Sequence, residues 1–351
     1  MKTFRFSLVA LVATTLFVAC SNDEVEPINS ETQAISFRMQ GGTPESTLRA
    51  TATTTLYVDA FVVYGIDDVA DAGTGDNIFD GITVARQVDG GFDYNPKKYY
   101  SAGAASAEFF AFSPVSAIRN NTITNLPTSS VLSGASFDYE VVVPDATGNT
   151  TQEDLLVAGT SIPSISGGTV HLQFKHALSR IFVKAKNGLS QDVVITGLSL
   201  KNLYPEGTIT GTPVAISPFE WTWVWATSGI KTNYDYILAP TGVAVPAGTG
   251  TGAAPNNVPV LVTSMEQGMM VIPQAIVTSS PADYTAGDFA LEVTYDVANL
   301  TAQKAYVYLG NGYKFDAGKQ YAITIDFSGT GLIEINFEIK VSDFVNDGTM
   351  L

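Results

Sequence analysis

Short apolar runs separated by turn-forming residues recur along the chain from residue 34, and within many of them apolar and polar positions alternate. A period of two places alternate side chains on one face of a strand, and the segments between the runs are rich in Gly, Pro, Asp and Asn. The pattern predicts strands over 34–39, 56–64, 107–113, 136–143 and 154–158 in the first half. In the second half it predicts strands over 170–174, 180–186, 193–200, 220–226, 258–263, 268–272, 289–297, 304–309, 321–327 and 332–341. The last two flank Ser328-Gly329-Thr330-Gly331, a turn sequence suited to an antiparallel pair. Loops are expected over 67–80 and 120–133, and the Pro-Ser-Ile-Ser-Gly-Gly run at 163–168 reads as a linker. No long 3.6-period segment rich in Leu, Glu, Lys and Arg interrupts this rhythm, so the fold class is all-β, built of β-sandwiches.

At 351 residues the chain has room for two domains, placed at 33–165 and 166–351 with the boundary in the linker. Residues 1–19 differ from all that follows. Lys2 and Arg5 precede an apolar stretch from Leu8 to Ala19 that is too short to cross about 30 Å of hydrocarbon, which is the pattern of an export signal. Cys20, the one cysteine in the chain, stands directly behind it and has no partner for an internal disulfide. The spacing resembles a bacterial lipoprotein signal with Cys20 as the acylated residue, and the acidic segment 20–32 resembles a surface-sorting tether. Buried acyl chains contribute about 0.8 kcal/mol per CH₂ group, so the expected anchor is lipid in the outer membrane.

The net charge is −16, and removing the first nineteen residues, which hold Lys2 and Arg5 and no acid, takes it to −18. Such a surface repels phosphate, and no basic stripe is present to bind nucleic acid. Catalytic motifs are equally scarce. His171 and His176 are five apart and point to opposite faces of a continuous strand, so they are not a chelating pair. There is no HExxH motif, Gly-rich phosphate loop or nucleophile elbow, and pairs such as Glu153-Asp154 or Asp67-Asp68 are inevitable among 34 acids. The acidic loop from Asp67 to Asn77 does not follow calcium-hand spacing. The expectation is a protein that is not an enzyme and carries no cofactor or metal.

Two further features invite a binding role. Trp221, Trp223 and Trp225 alternate with Thr222 and Val224, so all three tryptophans share one strand face, either as core or as a platform for stacking sugar rings. Ile35, Phe37 and Met39 likewise share one face of the predicted strand 34–39.

The phrases LQFKHALSRI at 172–181, MVIPQ at 270–274 and FDAGKQY at 315–321, followed by VSDF at 341–344, resemble recurring elements of the Bacteroidetes fimbrillin family. Phe344 stands where that family often has Trp. The resemblance extends over most of 33–345 and implies two tandem transthyretin-like β-sandwiches in a surface pilus subunit that mediates adhesion. It also implies an arginine-directed cut after Arg49, before Ala50, that releases the first strand with Ile35, Phe37 and Met39. A donor strand from another subunit, or from another copy, would then fill the groove. Seven residues follow Phe344, leaving little chain for donation, so an anchor, accessory or tip subunit stays open. So does a lipoprotein that never polymerises and binds host or bacterial surface glycan or protein.

Overall fold

The computed structural model describes residues 33–39, 58–69, 76–116, 123–124, 135–143, 152–214, 217–236, 238, 240–248, 259–263, 268–276, 289–309, 312–327 and 335–343. Twenty-four β-strands lie among them. The first ten are β1 (Ser36–Met39), β2 (Ala60–Val69), β3 (Asp76–Arg86), β4 (Phe92–Asp93), β5 (Ala104–Ser113), β6 (Ile123–Thr124), β7 (Ser136–Glu140), β8 (Leu156–Ile162), β9 (Thr169–Leu172) and β10 (Lys175–His176). Next come β11 (Ser179–Asn187), β12 (Val193–Leu203), β13 (Glu206–Val214), β14 (Ser217–Ser228), β15 (Thr232–Tyr236), β16 (Val243–Val245) and β17 (Val260–Leu261). The chain closes with β18 (Met269–Val271), β19 (Gln274–Ala275), β20 (Ala290–Val297), β21 (Leu300–Val307), β22 (Lys314–Phe315), β23 (Lys319–Phe327) and β24 (Ile335–Asp343).

A six-stranded sheet of order β10-β8-β5-β2-β3-β4 stands at the centre of the first half. It is covered on both sides, which explains why Phe109, Phe110, Ala111 and Phe112 run together without a polar break, all fully buried. Successive residues of a strand point to opposite faces. Accordingly Phe61, Val63, Phe109, Ala111 and Ala158 enter one core with Ile35, Phe37 and Val170, while Val62, Tyr64, Phe110, Phe112 and Val157 enter a second, larger one. The second face is covered by a four-stranded sheet of order β14-β13-β7-β6.

The remaining long strands form a sandwich. One sheet has the order β17-β11-β23-β24, with β11 and β23 parallel, and the other has the order β15-β12-β20-β21. Ile181, Val183, Ile323 and Ile325 from the first sheet belong to the same core as Ile195, Leu200, Leu291 and Val293 from the second. Tyr295 and Phe327 meet edge to face between the sheets, with ring centres 5.1 Å apart.

Two expectations change. The packing does not divide at 165/166: β9 pairs with β1, β10 pairs with β8, and Val170, Leu172 and Phe174 lie in the first core. In the other direction β7 pairs with β13 over five positions, tying the halves into one sheet. The expected loop 67–80 is partly strand, because β2 extends to Val69 and pairs with β3 from Asp76 onward. Asp67 is thus no solvated loop acid. It is fully buried and its carboxylate accepts from Ser101 N at 2.6 Å and Ser101 Oγ at 3.0 Å.

Candidate assembly site

β1 is the strand on which the expected site rests, and its geometry follows from the alternation in the sequence. Ile35 and Phe37 turn inward and are 1% and 3% exposed, while Arg38 turns to solvent and Met39 is half-buried against the same core. Phe37 sits inside a ring of aromatics, with Phe61, Phe79, Tyr94 and Phe109 all within 5.9 Å of it, centre to centre, in edge-to-face contact. Such pairs contribute about 0.5–1.5 kcal/mol beyond the area they bury. Phe37 therefore fills an aromatic socket.

The backbone of β1 is held by few bonds. It pairs with β9 alone among the described strands, in parallel over four positions from Ser36↔Thr169 to Met39↔Leu172. At its start, Ile35 N donates to Lys98 O at 2.9 Å, Ser36 N donates to Gly168 O at 2.6 Å, and the Tyr94 hydroxyl donates to Ile35 O at 2.6 Å. Burial pushes the Tyr94 phenol above its ordinary pKa, so that hydroxyl stays a donor through neutral and mildly alkaline pH. A short strand that seals a core with two large side chains and pairs along one edge leaves, on removal, an apolar slot lined by β9 and the aromatic ring. An added strand would satisfy both the slot and the unpaired backbone.

Cys20, Arg49 and Ala50 lie outside the described residues. The tryptophan strand is described, and it is not a platform. Trp221 is 3% exposed, and Trp223 and Trp225 are half-buried against the larger core, while Thr222 and Val224 face outward. Two glycines make room for the indoles: a Cβ on Gly159 of β8 would lie 2.1 Å from Trp221, and one on Gly211 of β13 would lie 2.5 Å from Trp223. Trp223 meets Phe110 at 5.7 Å, and Trp225 Nε1 donates to Ala177 O at 2.8 Å. The face that the sequence offered to a sugar is filled by the neighbouring sheet.

His176 is a buried structural residue whose Nδ1 meets Asp154 Oδ2 where β10 pairs with β8. Burial raises the Asp154 pKa, opposed by His176 and Arg180. Asp59, Glu153 and Asp154 line an open surface cleft of about 370 Å³ beside Pro114 and Val115. Among the described residues no cluster of three or more His, Cys, Asp or Glu is placed to hold a metal ion, and no helix is long and apolar enough to cross a membrane.

A family model described as fimbrillin-like matches residues 49–341. The chain belongs to the fimbrillin-like family. Among solved structures, it is similar to a fimbrial protein from Bacteroides vulgatus at 16% identity and a TM-score of 0.57, over 89% of this chain and 100% of that one. It is also similar to a candidate cell adhesion protein from Bacteroides uniformis at 18% identity and a TM-score of 0.49, over 89% and 99% of the two chains. The tip fimbrial protein Mfa3 from Porphyromonas gingivalis aligns at 9% identity and a TM-score of 0.38, over 82% of this chain and 94% of that one. No curated protein sequence matches the chain. The first of these likenesses shows a shared all-β fold, and the family places this chain among fimbrial proteins of the cell surface.

Proposed function

We propose that this fimbrillin-like chain is a pilus subunit that reaches the outer membrane as a lipoprotein acylated at Cys20 and is then cut between Arg49 and Ala50. The cut releases β1, and a strand from another subunit or another copy enters the vacated slot, so that assembly follows from a fold left one strand short. The observation that carries this reading is the seating of β1: two buried anchors, Ile35 and Phe37, held along one edge by four paired residues. An aromatic slot open along one strand suits an extended segment with large alternating side chains.

Limited digestion of the folded chain with an arginine-specific protease tests the cut. The expected product begins at Ala50 by N-terminal sequencing, and Arg49→Ala abolishes it. A chain that resists at Arg49 while other arginines are cut sinks the processing step and favours an anchor, tip or non-polymerising surface lipoprotein.

A further inference from the structure

β14 is a twelve-residue edge strand: it pairs with β13 on one side, and among the described residues no strand pairs with it on the other. Long free edges are templates for pairing, and proteins commonly guard them with charge. Other long edges here follow that rule, with Glu338, Lys340 and Asp343 exposed on β24 and Lys304 exposed on β21. β14 departs from it. Glu220 is the one charged residue from Ser217 to Ser228, in a chain of net charge −16.

From Thr222 to Ser228 the outward side chains of β14 are small and uncharged. Thr222, Val224, Ala226 and Ser228 are exposed, Val224 at 60%, and Ile230 just beyond the strand is 86% exposed. Neighbouring β13 adds Thr208, Thr210 and Thr212 to the same face, in register with Ala226, Val224 and Thr222. The nearer carboxylates sit to one side. Glu206 lies opposite Ser228 at the end of β14, and Asp138 and Glu140 are on β7, two strands away. At about 4.8 Å per strand that is roughly 10 Å, about one Debye length at 0.1 M salt.

We propose that the free edge of β14 pairs with β14 of a second copy, antiparallel across a two-fold axis, fusing two four-stranded sheets into one of eight. Two strongly acidic chains repel each other least through a neutral strip, and β14 supplies one. A two-fold axis through Val224 sets Thr222 opposite Ala226 and Val224 opposite its own counterpart. The stretch from Thr222 to Ala226 that pairs in this register carries no acid, so the pairing brings no acid against an acid. It needs no loss of β1, and is independent of the assembly reading above.

Sedimentation equilibrium of the uncut Arg49→Ala chain tests it. The expected result is a concentration-dependent dimer, weakened at least about tenfold by Val224→Lys, which sets two like charges directly opposite each other. The equally conservative surface change Val88→Lys, at a fully exposed turn position, leaves the dimer intact. Under mild oxidation Val224→Cys in a Cys20→Ala chain is expected to give a disulfide-linked dimer. A monomer at every concentration, as a segment of the same chain seated on the edge would give, overturns the proposal. So does a dimer that Val224→Lys leaves unchanged.

Discussion

Phe37 fills a socket of four rings and is 3% exposed, so its truncation removes the main anchor of β1. Phe37→Ala is expected to lower the stability of the uncut chain by about 3 kcal/mol, read as a shift in denaturant midpoint at constant slope. A loss under about 1 kcal/mol would mean that β1 is not seated in a packed core. Gly159 makes the complementary case. It lies where any Cβ would strike the Trp221 indole at 2.1 Å, so Gly159→Val forces the β8 and β14 layers apart. The expected cost is about 1–3 kcal/mol, with a red shift in tryptophan emission; unchanged emission and stability would contradict the packing described for Trp221.

At the scale of elements, the tryptophan face shows what alternation conveys and where it stops. Period two put the three indoles of β14 on one face correctly, but it carries no information about what lies against that face. Gly159, which accepts Trp221, is far from it in sequence, and Gly211, although it pairs with Trp223 on the neighbouring strand, gives no sign of what it faces. The interior assignment predicts that acrylamide quenches the folded chain's tryptophans far less than the unfolded chain's, and that no polysaccharide alters their emission. Strong quenching in the folded chain would restore the exposed platform. Other elements were legible for definite reasons. The alternation of Ile35, Phe37 and Met39 identified β1, and the expected pairing of the last two strands matches β23 and β24, antiparallel over nine positions. β3 and β13 were missed. Gly81 at φ +66° interrupts β3 among Asp76, Asp80 and Asn77, and β13 is a run of Gly and Thr whose apolar content is too low to mark it. The pairing of β7 with β13, and of β1 with β9, joins segments far apart in sequence, so a boundary read from the composition of 163–168 fell inside a packed unit.

Across the whole molecule, tyrosines are buried in both cores, and burial raises their pKa because the phenolate loses its hydration. Tyr64 and Tyr321 are pushed up from 10.0 to about 12, with Asp80 adding to the rise at Tyr64, and Tyr100, Tyr139 and Tyr234 are pushed further. A pKa raised in the folded state means that the folded chain holds its proton more tightly. The stabilisation is full below the unfolded value near 10 and is lost as pH rises through about 12. Absorbance of phenolate during alkaline titration should therefore show these tyrosines silent at pH 10 and ionising together as the fold opens above it. Gradual ionisation of all tyrosines near pH 10 would contradict the burial.

The family places this chain among surface fimbrial proteins, and in the assembly proposed above β1 is the part of the molecule that would link fold to assembly. The most direct measurement is the oligomeric state of the chain after cutting at Arg49, by unheated denaturing gel electrophoresis, with and without excess synthetic peptide spanning residues 33–39. If β1 is a removable plug, the cut chain forms a detergent-resistant ladder that the peptide suppresses by refilling the slot. A cut chain that stays monomeric without peptide, or a ladder that the peptide leaves untouched, contradicts it.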